Sequence, residues 1–136
     1  AYIYNSRNYY LLQQRALHKS FLPGAWDIHM GHVITGETSL EGITREVKEE
    51  IGLRFSEGDI CFVGRVCWDL YNHMIDIYFF KSDFDIENLS LQKDEVIAAK
   101  AVSSEEMLRL VTNMDYRPEL YRRIVTNEIN RLKTIK

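Results

Sequence analysis

The sequence predicts an α+β domain built on a mixed β-sheet. Two observations carry that expectation. Strand-like segments come first, then one strongly periodic helix, then further strands and a pair of helices. Between Thr38 and Gly52 the apolar residues Leu40, Ile43, Val47 and Ile51 recur at spacings of three and four, which gives a helix one face for a core. With 136 residues, 46% of them hydrophobic, the chain suits one packed domain and is too short for two ordinary ones, so residues 1–136 are read as a single unit. The first residue is Ala, and AYIYN opens as though already inside a strand, which predicts a segment ahead of it.

In chain order, AYIYN and YYLLQQR flank the turn-like Asn5-Ser6-Arg7-Asn8 and read as a hairpin or two short strands. Leu22-Pro23-Gly24-Ala25 places Pro and Gly where a type II turn requires them. AWDIHMGHV, with its aromatic and β-branched residues, reads as a strand leading to the helix. Thr38 followed by Glu41 is a capping-box signature for that helix, and Gly52 is its C-terminal stop. ICFVGRVCWDL and HMIDIYFFK read as two strands joined near Tyr71-Asn72. Ser82 to Lys93 is a polar connector, and EVIAAKAV is a further strand. Ser103 to Glu106 caps a short helix carrying Met107, Leu108 and Leu110, and a last helix spans Pro118 to Leu132. The chain has no internal repeat, low-complexity segment or linker.

A net charge of −3 and a pI near 5.8 make no electrostatic case for a nucleic-acid duplex or an anionic membrane as partner. With no long apolar run and no signal-peptide pattern, the chain reads as soluble and cytoplasmic. Cys61 and Cys67 lack metal-motif spacing and lie in a strand-like segment, so they are expected to be reduced packing residues. Oligomeric state stays open, a homodimer included.

The chemistry centres on Glu46, Glu49 and Glu50. At i, i+3 and i+4 they gather on a face of the helix different from the apolar one. Like charges so placed repel by a few tenths of a kcal/mol per pair, whereas hard divalent cations want several carboxylate oxygens together. A plain solvated acidic face is the competing reading. It fits less well, because Glu41 and Lys48 already occupy the outward side.

The stretch GHVITGETSLEGITREVKEEIGL, from Gly31 to Leu53, resembles the Nudix box, G-x5-E-x7-R-E-U-x-E-E-x-G-U with U aliphatic, at every specified position. At ordinary residue frequencies such agreement arises by chance on the order of 10⁻⁸ or less per start point. The MutT-like Nudix resemblance extends over nearly the whole chain. LLQQR, PGAWD and DEVIAAKAVSSEEM are similar to segments of the hydrolases closest to isopentenyl-diphosphate isomerase. It implies an α/β/α sandwich around the mixed sheet, and Mg²⁺ or Mn²⁺ bound by Glu46, Glu49 and Glu50, with Glu50 foremost and the Met30 carbonyl as a further ligand. It also implies that Glu37 pairs with Arg45, that Arg45 orients a glutamate, and that Glu46 is the general-base candidate. The family sometimes recruits that base from elsewhere, and Glu95, beside Asp94, lies where it often places another metal-binding or basic carboxylate. An acidic loop residue is otherwise simply solvated.

Weaker candidates surround these. His32 adjoins Gly31 and is the one histidine of the four worth testing. Trp26, Trp68 and Tyr71 suit either nucleobase stacking or the core, and Arg15 suits either a phosphate contact or the surface. Met30-Gly31 stands where many relatives have Gly-Gly, which predicts a tighter backbone approach at the first position. Ile28-His29-Met30 holds no counterpart of the isomerases' catalytic Cys. The resemblance therefore implies a metal-dependent hydrolase that cleaves the phosphoanhydride of a nucleoside diphosphate linked to a moiety X, or a related small diphosphate, by water attack on phosphorus. An isopentenyl-diphosphate isomerase-like enzyme and a non-catalytic nucleotide-binding module are the alternatives.

Overall fold

The computed structural model describes residues 1–69 and 72–135. The chain runs β1 (Tyr2–Tyr4), β2 (Tyr10–Arg15), β3 (Trp26–Asp27), α1 (Ser39–Ile51), β4 (Ile60–Trp68), β5 (His73–Lys81), β6 (Val96–Val102), α2 (Ser104–Thr112) and α3 (Glu119–Lys133). The strands form one sheet in the order β3-β2-β1-β5-β4, and β6 pairs with β2. β1 and β5 are parallel and the other pairings antiparallel, so the sheet is mixed.

Side chains alternate across the pleat and divide the core between the two faces of the sheet. Ile3, Leu11, Tyr78 and Phe80 pack with Val47 and Ile51 of α1. Their chain neighbours Tyr2, Tyr10, Leu12, Ile77 and Phe79 pack with Met107 and Val111 of α2 and with Tyr121, Val125 and Ile129 of α3. The result is an α/β/α sandwich with α1 alone on one side.

The local signals act as expected at most elements. Thr38 accepts from the Glu41 N–H at 3.1 Å while the Glu41 carboxylate accepts from the Thr38 N–H at 3.0 Å, completing the capping box. Gly52 closes α1 at φ 79° and donates to the Lys48 carbonyl at 2.9 Å. The connector after β5 then folds back on this helix end: Ser90 N–H donates to the Ile51 carbonyl at 3.0 Å and Gln92 N–H to the Glu50 carbonyl at 2.8 Å. Carbonyls that the helix itself leaves unpaired are thereby satisfied, and the 92–95 loop is held beside Glu50. The 22–25 turn closes with Ala25 N–H on the Leu22 carbonyl at 3.2 Å and Gly24 at φ 70°.

Two expectations fail. The strand foreseen in AWDIHMGHV is only Trp26–Asp27, paired with Gln14 and Gln13. Beyond it Ile28 N–H turns to the Asp27 carboxylate at 2.7 Å, and the chain leaves the sheet to bring Gly31 against α1. Cys61 and Cys67 are exposed rather than packed, because β4 is the outermost strand on its side and Val66 is its one buried residue. The Tyr71 stacking role and part of the β4–β5 turn lie outside the described residues. No described helix is long and apolar enough to cross a membrane.

Ile51 is fully buried, so Ile51→Ala is expected to cost about 2–5 kcal/mol. Thr38→Ala removes one cap and should cost about 1 kcal/mol. Urea unfolding of the two variants checks this, and equal losses would contradict the assigned core of α1.

Candidate active site

Arg45 sits at the centre of the α1 carboxylates. Its Nη2 and Nε donate to the two oxygens of Glu37 at 2.9 and 3.2 Å, a bidentate pair. Nη1 donates to Glu46 at 3.0 Å and to Glu49 at 3.3 Å, and Nη2 also reaches the His32 carbonyl at 3.2 Å. Glu37 is held in turn by the Ile34 N–H at 2.8 Å. Hydrogen bonding from Arg45, and then from that N–H, keeps the Glu37 carboxyl below the usual carboxylate range, and the hydrogen bonds to Glu37 and then Glu46 raise Arg45. One guanidinium thus joins the loop before the helix to two of its acidic side chains.

Gly31 supplies the close approach. A Cβ placed there would lie 2.1 Å from Glu46 Cγ and 2.8 Å from its Cβ and Cδ. Only a residue without a side chain lets Glu46 lie against this backbone, one peptide beyond Met30. Gly42 is similarly close to Glu37, with Oε1 at 3.0 Å from such a Cβ.

Glu50 occupies a drier place, 8% exposed. Its Oε2 accepts from Gln13 Nε2 at 3.0 Å, and Gln13 Oε1 meets His29 Nδ1 at 2.7 Å. Because the Gln13 amide nitrogen faces the carboxylate, its oxygen can only accept, so His29 carries its proton on Nδ1. Burial pushes His29 down to about 3, leaving a neutral ring. Burial also raises the Glu50 carboxyl, against the Gln13 hydrogen bond and with help from the nearby Glu46 charge. Glu95 forms an ion pair with Lys19 on the neighbouring loop.

The oxygen donors of the three glutamates and the Met30 backbone are the chemistry that Mg²⁺ or Mn²⁺ favours. The gap at Gly31 lets Glu46 lie beside that backbone. Among the described residues no three His, Cys, Asp or Glu side chains stand together around one point. Glu46 and Glu49 turn to Arg45, and Glu50 turns to Gln13. The donors fit a hard divalent ion by type and by helix face, although their carboxylates are turned to Arg45 and Gln13.

The other sequence candidates are engaged elsewhere. The His32 ring packs edge-on against His73 at 5.8 Å. Arg15 donates to the Phe21 carbonyl at 2.8 Å. Lys100 lies 4.3 Å over the Trp26 ring, and Trp68 lies against Phe21 and Arg117. Sequence reasoning missed Gln13 and a buried pair beneath Met30. In that pair Arg117, 3% exposed, faces Asp27 at 3.8 Å, donates to Tyr121 at 2.7 Å and contacts the Met30 sulfur at 2.6 Å. The available signal was polarity in apolar surroundings: Gln13 follows Tyr10-Leu11-Leu12 in a strand, and Asp27 lies between Trp26 and Ile28.

An α/β/α sandwich with an arginine-braced row of glutamates on the lone helix defines the protein's class. A family model described as the NUDIX domain matches residues 1–124, and the chain belongs to that family. It is a hydrolase of the pyrophosphohydrolase type. An uncharacterized Nudix hydrolase of Listeria monocytogenes is 29% identical over 120 residues, covering 88% of this chain and 70% of that one. The crystal structure of a MutT protein from Methanosarcina mazei superposes with a TM-score of 0.66 at 27% identity, over 98% of this chain and 91% of that one. The NUDIX domain of Shewanella oneidensis NrtR, solved with ADP-ribose, shares the fold at a TM-score of 0.66 and 15% identity, over 98% of this chain and 84% of that one.

Two predictions follow from this geometry. Gly31→Ala should displace Glu46 and lower kcat by about 10²-fold, the scale of an ångström-sized misplacement, while circular dichroism stays native; full activity would remove the close approach from the account. The raised Glu50 carboxyl means that the folded state binds a proton more readily than the unfolded one. Stability should therefore fall as pH rises from the ordinary value of 4.5 through the raised one. In chelator, Glu50→Gln should melt higher than wild type above that window and converge with it below pH 4.5.

Proposed function

We propose that this hydrolase cleaves the phosphoanhydride bond of a nucleoside diphosphate linked to a second moiety, or of a similar small diphosphate. Water oxygen bonds to phosphorus, the bridging P–O bond breaks, and the water proton passes to a carboxylate. Glu46, Glu49, Glu50 and the Met30 carbonyl would hold Mg²⁺ or Mn²⁺. When bound, such an ion supplies positive charge to the phosphate oxygens and acidity to a water.

The observation that carries this reading is the Arg45 brace. Arg45 holds Glu46 and Glu49 from one side while Gly31 leaves room for Glu46 beside the backbone. Glu46 is the first candidate for the proton acceptor, and Glu95 on the adjoining loop the second. Gln13 steadies Glu50 through an amide donor, which favours its charged form despite burial. That the Shewanella relative was solved with ADP-ribose supports a nucleotide-derived diphosphate as the class to test first. Isomerisation of an allylic diphosphate is disfavoured, since Ile28-His29-Met30 offers no cysteine and His29 is buried and neutral. A binding module without catalysis would not need the full row of carboxylates.

A panel of nucleotide sugars, ADP-ribose, dinucleoside polyphosphates and CoA, assayed with Mg²⁺ or Mn²⁺, tests the reading. Turnover in H₂¹⁸O should place the label on a phosphate product, and EDTA should abolish it. Glu46→Gln is expected to lower kcat by roughly 10²-fold or more, as loss of a general base does. Equal turnover in chelator would overturn the metal site, and near-normal kcat in Glu46→Gln would move the base to Glu95.

A further inference from the structure

Residues 28–31 leave the sheet but keep the alternation of a strand. Ile28 and Met30 pack with the cluster that holds α2 and α3, whereas His29 reaches Gln13 and Gly31 lies against Glu46 on the α1 side. The Met30–Gly31 peptide, whose carbonyl belongs to the metal reading, is therefore held from two sides. On the α1 side the contacts are those of the site itself. On the other side the contact is a cation from the segment between α2 and α3: Arg117 Nη2 meets the Met30 sulfur at 2.6 Å.

Stability alone is a poor reason for this arginine. It is buried, its carboxylate partner Asp27 stands 3.8 Å away, and among the described residues neither Asp27 Oδ2 nor Arg117 Nε has a hydrogen bond. A buried cation so loosely paired adds little to the fold, and polar groups that break the rules of a core gather at functional sites. What the guanidinium has is a fixed place. Nη1 donates to Tyr121 Oη at 2.7 Å, and that hydroxyl meets Tyr2 Oη at 2.5 Å. The rings of Tyr121, Tyr116 and Trp68 lie 4.8, 5.5 and 5.9 Å from its carbon. Its backbone N–H donates to the Met114 carbonyl at 3.0 Å. A thioether chain has three rotatable bonds, so holding its sulfur is what restricts the backbone it hangs from. Asp27, which accepts from the Ile28 N–H at 2.7 Å, carries the same restraint to the start of the segment.

We propose that Arg117 is a positioning residue for the metal site: by holding the Met30 side chain on the α3 side of the sheet, it sets the orientation of the Met30–Gly31 peptide and so of the carbonyl that joins the three glutamates. This rests on the metal reading above. It assigns a share of the metal affinity to the segment before α3, which supplies no oxygen ligand of its own. It also gives the Met30 side chain a task, since a glycine there would leave Arg117 nothing to hold.

Titration calorimetry with Mn²⁺ alone, on wild type, Arg117→Lys, Met30→Gly and the double variant, tests this, with melting in EDTA as the structural readout. Lysine keeps a charge for Asp27 but lacks the fork that also reaches Met30 and Tyr121. Arg117→Lys and Met30→Gly should each weaken Mn²⁺ binding about 10-fold, the scale for a group that acts through a metal ligand. The double variant should bind no more weakly than the poorer single one. An arginine that only stabilised the fold would, when replaced, lower the melting temperature and leave the Mn²⁺ affinity of the folded protein unmoved. That result overturns the proposal, as does a double variant in which the two losses multiply. Should Arg117→Lys fail to fold, Met30→Gly decides alone: a 10-fold loss supports the proposal and unchanged binding overturns it. Failure of wild type to bind Mn²⁺ overturns the metal-site reading and this inference with it, whereas normal wild-type binding with unmoved variants overturns this inference alone.

Discussion

The site depends on the fork of Arg45. Three glutamates within five residues of one helix repel one another, and a helix bearing them has no intrinsic reason to keep their carboxylates at any particular angle. The guanidinium supplies that reason: it is locked to Glu37 by two parallel hydrogen bonds and spends its remaining donors on Glu46, Glu49 and the His32 carbonyl. Because Glu37 belongs to the loop before the capping box, the same contact sets where that loop runs. Lysine cannot reproduce this arrangement, since it lacks a planar fork.

The sheet provides the second half of the site from the opposite direction. β2 carries Gln13 into the space behind Glu50, and the segment after β3 carries His29 to Gln13 and Gly31 to Glu46. Gln13 joins these polar groups in a dry interior, its amide oxygen meeting a neutral imidazole and its amide N–H a carboxylate. Below them Arg117 ties Asp27 and Met30 to the aromatic residues Tyr116, Tyr121 and Trp68. A buried pair of this sort adds little net stability, and removing one partner would leave the other charge uncompensated. The segment that presents Met30 and Gly31 is in this way fastened on both of its faces.

The elements with local chemical signatures were legible in the sequence. Thr38, Glu41 and Gly52 delimit α1 by capping alone, and Leu40, Ile43, Val47 and Ile51 identify its buried face. The pairing of Glu37 with Arg45 came from the family pattern and is present in the structure. What was not legible depends on distance along the chain. Nothing local tells that Gln13 meets Glu50 across 37 residues, or that Arg117 reaches Met30 across 87. The strand expected after Pro23 shrinks to two residues because tertiary contacts of Asp27, His29 and Gly31 outweigh β propensity there. Cys61 and Cys67 mislead for a related reason: apolar composition marks a strand but does not say that the strand will lie at an edge.

Arg45 acts on the glutamates as a unit with Glu37. A double-mutant cycle on kcat/KM, with Glu37→Gln, Arg45→Met and the pair together, measures this most directly. If the brace works as a unit, the double variant is no worse than the poorer single one, and the coupling between the two positions is about 1–3 kcal/mol. Losses that simply add would show that Arg45 and Glu37 act independently, and would contradict the account.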